Sequence, residues 1–272
     1  MIAFQGEPGA YSEAALQARF GDAGRLPCAS FDQVFAAVAE GRAEAGVVPI
    51  ENSLAGSILE NYDLLLAHDL TIVGEIRLPV RHCLLGKPGM RLADVKRAYS
   101  HPQALAQSLP YLKAHGIEPV AANDTAGAAR ALAERDEPGA AAIASLRAGA
   151  LYGLDILAEG IQTRQDNTTR FFVIQLDRPA DLAREKASLV FAAPNSPGAL
   201  YDCLGRFARR GLNLTKIESR PTRDTPWEYY FYVDFEGDLE PTALQALLDE
   251  LRPSMAFVRL LGVYPAKDPL TR

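Results

Sequence analysis

Residues 167–176 read NTTRFFVIQL. The hydroxyls of Thr168 and Thr169 and the guanidinium of Arg170 stand directly before an apolar run that reads as a strand. Such a stretch is either a turn with a solvated arginine at a strand end or the polar edge of a ligand site. Other strand ends bear on the choice, because ligands of open α/β sheets bind beyond the carboxyl ends of strands. After MIAF come Gly6, Gly9, Tyr11 and Ser12, and after AEAGVVPI come Glu51, Asn52, Ser53 and Gly56. After RAY come Ser100, His101 and Gln103; after VAAN come Asp124 and Thr125; after AAAIA comes Ser145. Most of these precede a helix, whose exposed N–H groups and dipole favour an anion. Each Ser, Thr or Asp alone is most simply a helix cap. Capping does not explain why so many strand ends carry small neutral polar groups and few carboxylates. That composition suits a small anionic ligand held by hydrogen bonds.

Other chemistries fit poorly. The glycines of GEPGAYS do not form G-x-G-x-x-G, and no P-loop lysine follows them. His68, His82, His101 and His115 show no metal-ligand spacing. No G-x-S-x-G elbow is present. His101 opens a helix, where capping is as good a reading as catalysis. Net charge is -6 over 272 residues, with basic residues scattered apart from Arg209-Arg210, so the positive field of a nucleic-acid binder is missing. Cys28, Cys83 and Cys203 are odd in number and far apart, which argues against a disulfide framework or a cysteine zinc site. The first residues have no basic n-region or long apolar h-region, and no run is apolar for the roughly 18 residues of a membrane helix. A cytoplasmic protein, with no membrane or nucleic-acid partner, is the expectation.

The elements that must position these groups come from the hydrophobic rhythm. From residue 1 to about 178, apolar strands alternate with Ala-rich helical patterns, which argues an α/β architecture with mostly parallel strands. Ser12 is placed to cap the first helix. Long strand-like segments near 70–86 and a late strand at 170–177 suggest a chain that crosses between two lobes. Residues 178–187, RPADLAREKA, read as a polar linker. The rest follows the order β-α-β-β-α-β of a ferredoxin-like domain. Its first helix has Pro197 in the first turn and Leu200, Leu204 and Phe207 on one face, and it ends at Gly211. WEYYFYVDFEG reads as one of its strands.

GAYSEAA (9–15), VPIENSLAGSI (48–58), SHPQAL (100–105), DTAGAA (124–129), AAIAS with YGL (141–145, 152–154) and NTTRF (167–171) occur in one order along the chain. With SPGAL (196–200) and NLTKIESRP (213–221), they resemble the prephenate dehydratases and the closely related arogenate dehydratases, with the ACT domain usually fused behind them. The resemblance implies a two-lobed, periplasmic-binding-protein-like catalytic domain over 1–178 and a βαββαβ ACT domain over 187–265. It implies decarboxylating dehydration of prephenate to phenylpyruvate without a cofactor or metal, feedback by L-phenylalanine, and a homodimer or tetramer assembled through the ACT and catalytic domains. The segment IQTRQDN (161–167) departs from the acidic pair and proline that family members often carry there.

Residue roles follow from the resemblance. Thr169 of T-R-F is the expected catalytic residue, hydrogen-bonded to the leaving hydroxyl. Arg170 is expected to bind a substrate carboxylate, with Ser12, Asn52, Ser53, Ser100, Gln103, Thr125 and Asn167 as further binding groups. Phe171 packs against the substrate ring or in the core. For the effector, Gly198, Ala199, Leu200, Asn213, Leu214, Glu218 and Ser219 match the family's phenylalanine site at the interface between ACT domains. Glycine lets the backbone approach a carboxylate, and Glu218 suits an ammonium group. The alternatives are an arogenate dehydratase and a non-catalytic two-lobed sensor of amino acids or anions.

Overall fold

The structure is a computed structural model and describes residues 1–177, 179–222 and 228–266. Arg178, at the expected domain boundary, and Trp227, in the expected strand WEYYFYVDFEG, lie outside the described residues. The chain sorts into two compact units, Met1–His68 with Ile76–Phe172, and Asp69–Glu75 with Val173–Arg272.

The first sheet has the order β2 (Arg25–Cys28), β1 (Ile2–Gln5), β3 (Ala45–Asn52), β11 (Thr168–Gln175), β5 (Thr71–Pro79), with the short β4 (Gly56–Ser57) beside β3. Its helices are α1 (Tyr11–Phe20), α2 (Phe31–Ala39) and α3 (Leu59–Ala67). The second sheet has the order β10 (Asp155–Glu159), β6 (Cys83–Gly86), β9 (Ala140–Ala144), β7 (Arg97–Ser100), β8 (Glu118–Ala121). It carries α4 (Pro102–Ala114), α5 (Thr125–Glu134) and α6 (Leu146–Tyr152). The chain passes from the first sheet to the second through residues 80–82 and returns through 160–167, as the long segments suggested. β1 runs parallel to β2 and β3, and β7 runs parallel to β8 and β9. β6 is antiparallel to both β9 and β10, so parallel pairing is not uniform.

Local chemistry explains the boundaries. Ser30, Asp124 and Ser145 cap α2, α5 and α6 by accepting from the backbone N–H of Gln33, Gly127 and Ala148. Ser12 is not a cap: Ala10 occupies that position, and Ser12 is buried in the first turn. The wholly buried β9 packs on Ala128 and Ala129 of α5, and such small side chains let helix and sheet approach closely. Gly9 (φ +92°) touches α6, where an added Cβ would stand 3.0 Å from Ala148 Cα. Only glycine meets both demands without strain.

In the second unit, β12 (Lys186–Ala192), α7 (Ala199–Arg209), β13 (Asn213–Pro221), β14 (Tyr229–Glu236), α8 (Pro241–Leu251) and β15 (Phe257–Tyr264) give the expected βαββαβ order. The sheet order is β13-β14-β12-β15, all antiparallel. Ala187, Leu189 and Phe191 face a core with Cys203, Phe207, Leu244 and Leu247 of the helices. Lys186 and Ser188 alternate to the other face, as a period of two requires. There Lys186 Nζ meets Glu75 at 2.9 Å, both buried, and Ser188 Oγ donates to Asp234 at 2.6 Å. Gly262 lies so close to the Ile72 carbonyl that a Cβ would stand 2.1 Å from its oxygen. Lys186 and Ala187 therefore belong to a buried strand and not to the polar linker. Pro197 also falls outside its helix, one residue before the N-cap Gly198.

Candidate active site

A cavity of about 350 Å³ lies in the first unit and is lined by strand residues of the first sheet and by the starts of helices carried by both sheets. Three helix starts reach it: Tyr11 and Ser12 of α1, His101 and Gln103 at α4, and Asp124 and Thr125 at α5. Ala10 gives α1 no side-chain cap, so the first-turn N–H groups of that helix end at the cavity. His101 is the N-cap of α4, its Nδ1 3.2 Å from the Gln103 N–H. The described lining contains no lysine or arginine. An anion here is met by helix dipoles and neutral donors, beside one carboxylate, Asp124, whose Oδ1 accepts from the Gly127 N–H.

β11 explains which part of T-R-F reaches this space. Side chains alternate along a strand, and Thr169 and Phe171 line the cavity while Arg170 does not. Arg170 instead pairs with Glu51 at 3.2 Å and lies over the Phe172 ring, 5.0 Å from its centroid. Arg170 thus stands apart from the residues that line the cavity. Phe171 is 1% exposed and forms cavity wall.

Thr169 sits in a fixed polar cluster. Asn52 Nδ2 donates to Thr169 Oγ1 at 3.0 Å and to Asn167 Oδ1 at 2.7 Å. The backbone N–H groups of Leu54 and Ala55 both donate to Asn52 Oδ1 at 3.0 Å, which fixes the orientation of that amide. Asn167, 1% exposed, stands behind the lining and donates to Gln107 Oε1 at 2.9 Å. Ser53 and Ser100 are not part of the lining. Ser53 is exposed, accepts from the Thr168 N–H and donates to the Asp166 carbonyl, clipping the turn before β11. Ser100 is fully buried and donates to the Ile143 carbonyl at 2.6 Å. Both hydroxyls are spent on backbone.

Tyr11, His82 and Gln107 also line the cavity and were given no role from sequence. Gln107 lies one turn after Gln103 on the same face of α4, a spacing legible in the sequence. His82 falls in the crossing segment 80–82, where no motif marks it. Burial, with Cys83 nearby, pushes the Tyr11 phenol far above its ordinary value, so it stays protonated. Burial also holds His82 below its ordinary value against the opposing hydrogen bond with Gln107. Among the described residues no group of three or more His, Cys, Asp or Glu side chains is placed to hold a metal ion.

In the second unit, Leu200 lines a separate hollow of about 140 Å³ with Asn195, Ser196, Tyr229 and Phe231. Gly198 (φ +84°) and Ala199 form the start of α7 beside it. Asn213, Leu214, Glu218 and Ser219 lie along the edge strand β13, with Glu218 3.7 Å from Lys216 Nζ. Within one chain, the expected effector residues thus form two groups, only the first of them at the hollow.

A mixed α/β body, its cavity lined mostly by uncharged polar groups at helix starts, followed by a βαββαβ domain, defines the architectural class of the chain. Within it, the chain belongs to the prephenate dehydratase family. The family model described as prephenate dehydratase matches residues 2–179, and that of the ACT domain matches residues 187–253. Enzymes of this family are hydro-lyases. A relative from Arabidopsis thaliana, "Arogenate dehydratase/prephenate dehydratase 1, chloroplastic", is 44% identical over 97% of this chain and 71% of its own. A solved prephenate dehydratase from Arthrobacter aurescens, in complex with L-Phe, is 35% identical with a TM-score of 0.87, covering 97% of this chain and 89% of that one. Another solved structure, described as the quorum quenching acylase GqqA, is 42% identical with a TM-score of 0.89, covering 100% of this chain and 99% of that one.

Proposed function

We propose that the cavity converts prephenate to phenylpyruvate, with Thr169 donating a hydrogen bond to the departing hydroxyl. The observation that carries this reading is the direction of one bond. Thr169 Oγ1 accepts from Asn52 Nδ2, and among the described residues no acceptor takes the Thr169 proton. Its O–H is left for a ligand. The ring carboxylate leaves as carbon dioxide, its bonding electrons aromatise the ring, and the hydroxyl departs and takes up one proton to become water. Helix starts at Ser12, Gln103 and Thr125 support binding of the substrate's carboxylates. Asn52, itself held by Asn167, fixes the catalytic hydroxyl.

Incubation of the purified protein with prephenate tests the reading, with phenylpyruvate and carbon dioxide as readouts. The same assay with arogenate, which carries an ammonium in place of the keto group, ranks the two substrates by kcat/KM. Turnover of neither overturns the proposal. An acylase reading is motivated by the resemblance to GqqA. Against it, no Ser, Thr or Cys side chain among the described lining residues is bonded to a histidine, as an activated nucleophile requires.

We read residues 187–265 as the effector domain and L-phenylalanine as its ligand, supported by the ACT model match and by the L-Phe complex of the Arthrobacter aurescens relative. The division of the effector residues between α7 and the edge strand supports a site completed by a second copy, in a dimer or tetramer. Light scattering with and without phenylalanine, alongside inhibition curves, checks both points. No helix among the described residues is long and apolar enough to cross a membrane. The three cysteines are buried and unpaired, which supports a reducing compartment such as the cytoplasm.

A further inference from the structure

His82 is buried in the cavity wall, and the chemistry above gives it no task. Its backbone is fixed on both sides: the N–H donates to Gln162 Oε1 at 2.9 Å, and the carbonyl accepts from the Ile161 N–H at 3.1 Å. Its ring touches two polar groups. Nδ1 lies 2.9 Å from the Tyr11 hydroxyl, and Nε2 lies 2.8 Å from Gln107 Oε1.

Donor and acceptor roles along this chain of bonds are not free. The Leu54 and Ala55 N–H groups make Asn52 Oδ1 an acceptor. Its Nδ2 must then face Asn167 Oδ1 and Thr169 Oγ1. Asn167 in turn presents Nδ2 to Gln107 Oε1. Since Gln107 offers oxygen to both neighbours, His82 Nε2 must carry the hydrogen. Nδ1 is left as the acceptor facing Tyr11, whose single proton is shared between that nitrogen and the Arg81 carbonyl at 2.7 Å. Turning any one amide over would set donor against donor or acceptor against acceptor, which is costly in a buried site. Two donors remain uncommitted at the cavity: the Thr169 O–H, and the Gln107 Nε2–H groups, for which no acceptor is found among the described residues.

We propose that His82 is a positioning residue for the dehydration step: its Nε2–H locks the Gln107 amide and, through Asn167 and Asn52, holds the Thr169 hydroxyl as a donor toward the substrate. A buried histidine serving only the core would need two partners of any kind. Here one partner begins a directional series that ends on the reacting hydroxyl. The inference rests on the reading that Thr169 assists loss of the hydroxyl.

Two measurements test it. In protein labelled with nitrogen-15 histidine, the ring shifts should report His82 as the neutral Nε2–H tautomer at neutral pH. The Nδ1–H tautomer would overturn the directional chain, whatever the enzyme turns over. With prephenate as substrate, His82→Leu should lower kcat on the order of 10²-fold, with KM changed by less than about twofold. His82→Gln keeps an N–H donor within reach of the Gln107 oxygen and should recover kcat to within about fivefold of wild type. An unchanged kcat in His82→Leu, or a His82→Gln enzyme as slow as His82→Leu, overturns the proposal. A purely structural role would lower the thermal midpoint of both variants without this split. A wild type that converts neither prephenate nor arogenate removes the proposed reaction and leaves the tautomer measurement to decide the chain.

Discussion

Asn52 Nδ2 donates to Thr169 Oγ1 across 3.0 Å, although the two residues are 117 positions apart. The threonine is thereby an acceptor toward the protein and a donor toward the cavity. Thr169→Ala should lower kcat by about 10²–10⁴-fold, the usual worth of a positioned acid, while Thr169→Ser should keep most of the activity. Asn52→Asp should also fail, because a carboxylate there would draw the Thr169 proton to itself. Steady-state kinetics with thermal melts check this. A Thr169→Ala enzyme with near-normal turnover would refute the role.

Arg170 should matter to stability and not to substrate affinity. It is only 10% exposed in its side chain and pairs with Glu51, itself 35% exposed. Losing that ion pair together with the contact on the Phe172 ring should cost about 0.5–3 kcal/mol. Arg170→Met should therefore show a lowered thermal midpoint and a KM within about twofold of wild type. A large rise in KM with an unchanged midpoint would return Arg170 to the substrate.

Glu13 should set part of the acid sensitivity. Burial raises its pKa, but hydrogen bonds from Arg147 and the Gly9 N–H, with the charges of Arg147 and Arg25, outweigh that and leave it below its ordinary value. A carboxyl held low in the fold binds fewer protons than in the unfolded chain. Its stabilisation is complete above the unfolded value near 4.5 and is lost as pH falls through the lower folded value. Glu13→Gln should be less stable at neutral pH and should lose less further stability on acidification. Denaturant melts from pH 7 to pH 3 measure the difference.

The pair Lys186–Glu75 should be costly to break and cheap to replace. Side-chain exposures are 3% and 1%, so removing one partner strands a buried charge. Glu75→Ala or Lys186→Ala should cost about 3–5 kcal/mol, whereas the double change Glu75→Leu with Lys186→Met should recover most of it. Additive losses in the double-mutant cycle would contradict this.

The alternating elements and the βαββαβ order were legible in the sequence because strand and helix periods differ and glycine or proline marks the breaks. β2, α3 and β10 were not. β2 contains Pro27 and is half-exposed, which blurs the strand signal. α3 carries Leu64, Leu65 and Leu66 in a row, which hides its apolar stripe. β10 is an edge strand bounded by Asp155 and Glu159. At the site, reading strand ends located the helix starts that line the cavity. Arg170 stands off the lining because neighbours in a motif alternate between the two faces of a strand. Ser53 and Ser100 also stand off the lining, and a hydroxyl satisfied by a carbonyl looks, in sequence, like one awaiting a ligand. His82 was missed because its partners come from distant segments.

The alternation along Thr169-Arg170-Phe171 has a consequence for how the preceding loop can vary. Residues 163–166 are exposed, so their identities are lightly constrained by packing, and this part of IQTRQDN can depart from the common pattern at little cost. Their number is another matter. A single deletion that shifted β11 by one place would turn a guanidinium into the cavity, set Phe171 against Glu51 and move the Thr169 hydroxyl to the other face. The loop is a spacer whose count, more than its composition, keeps the catalyst in frame.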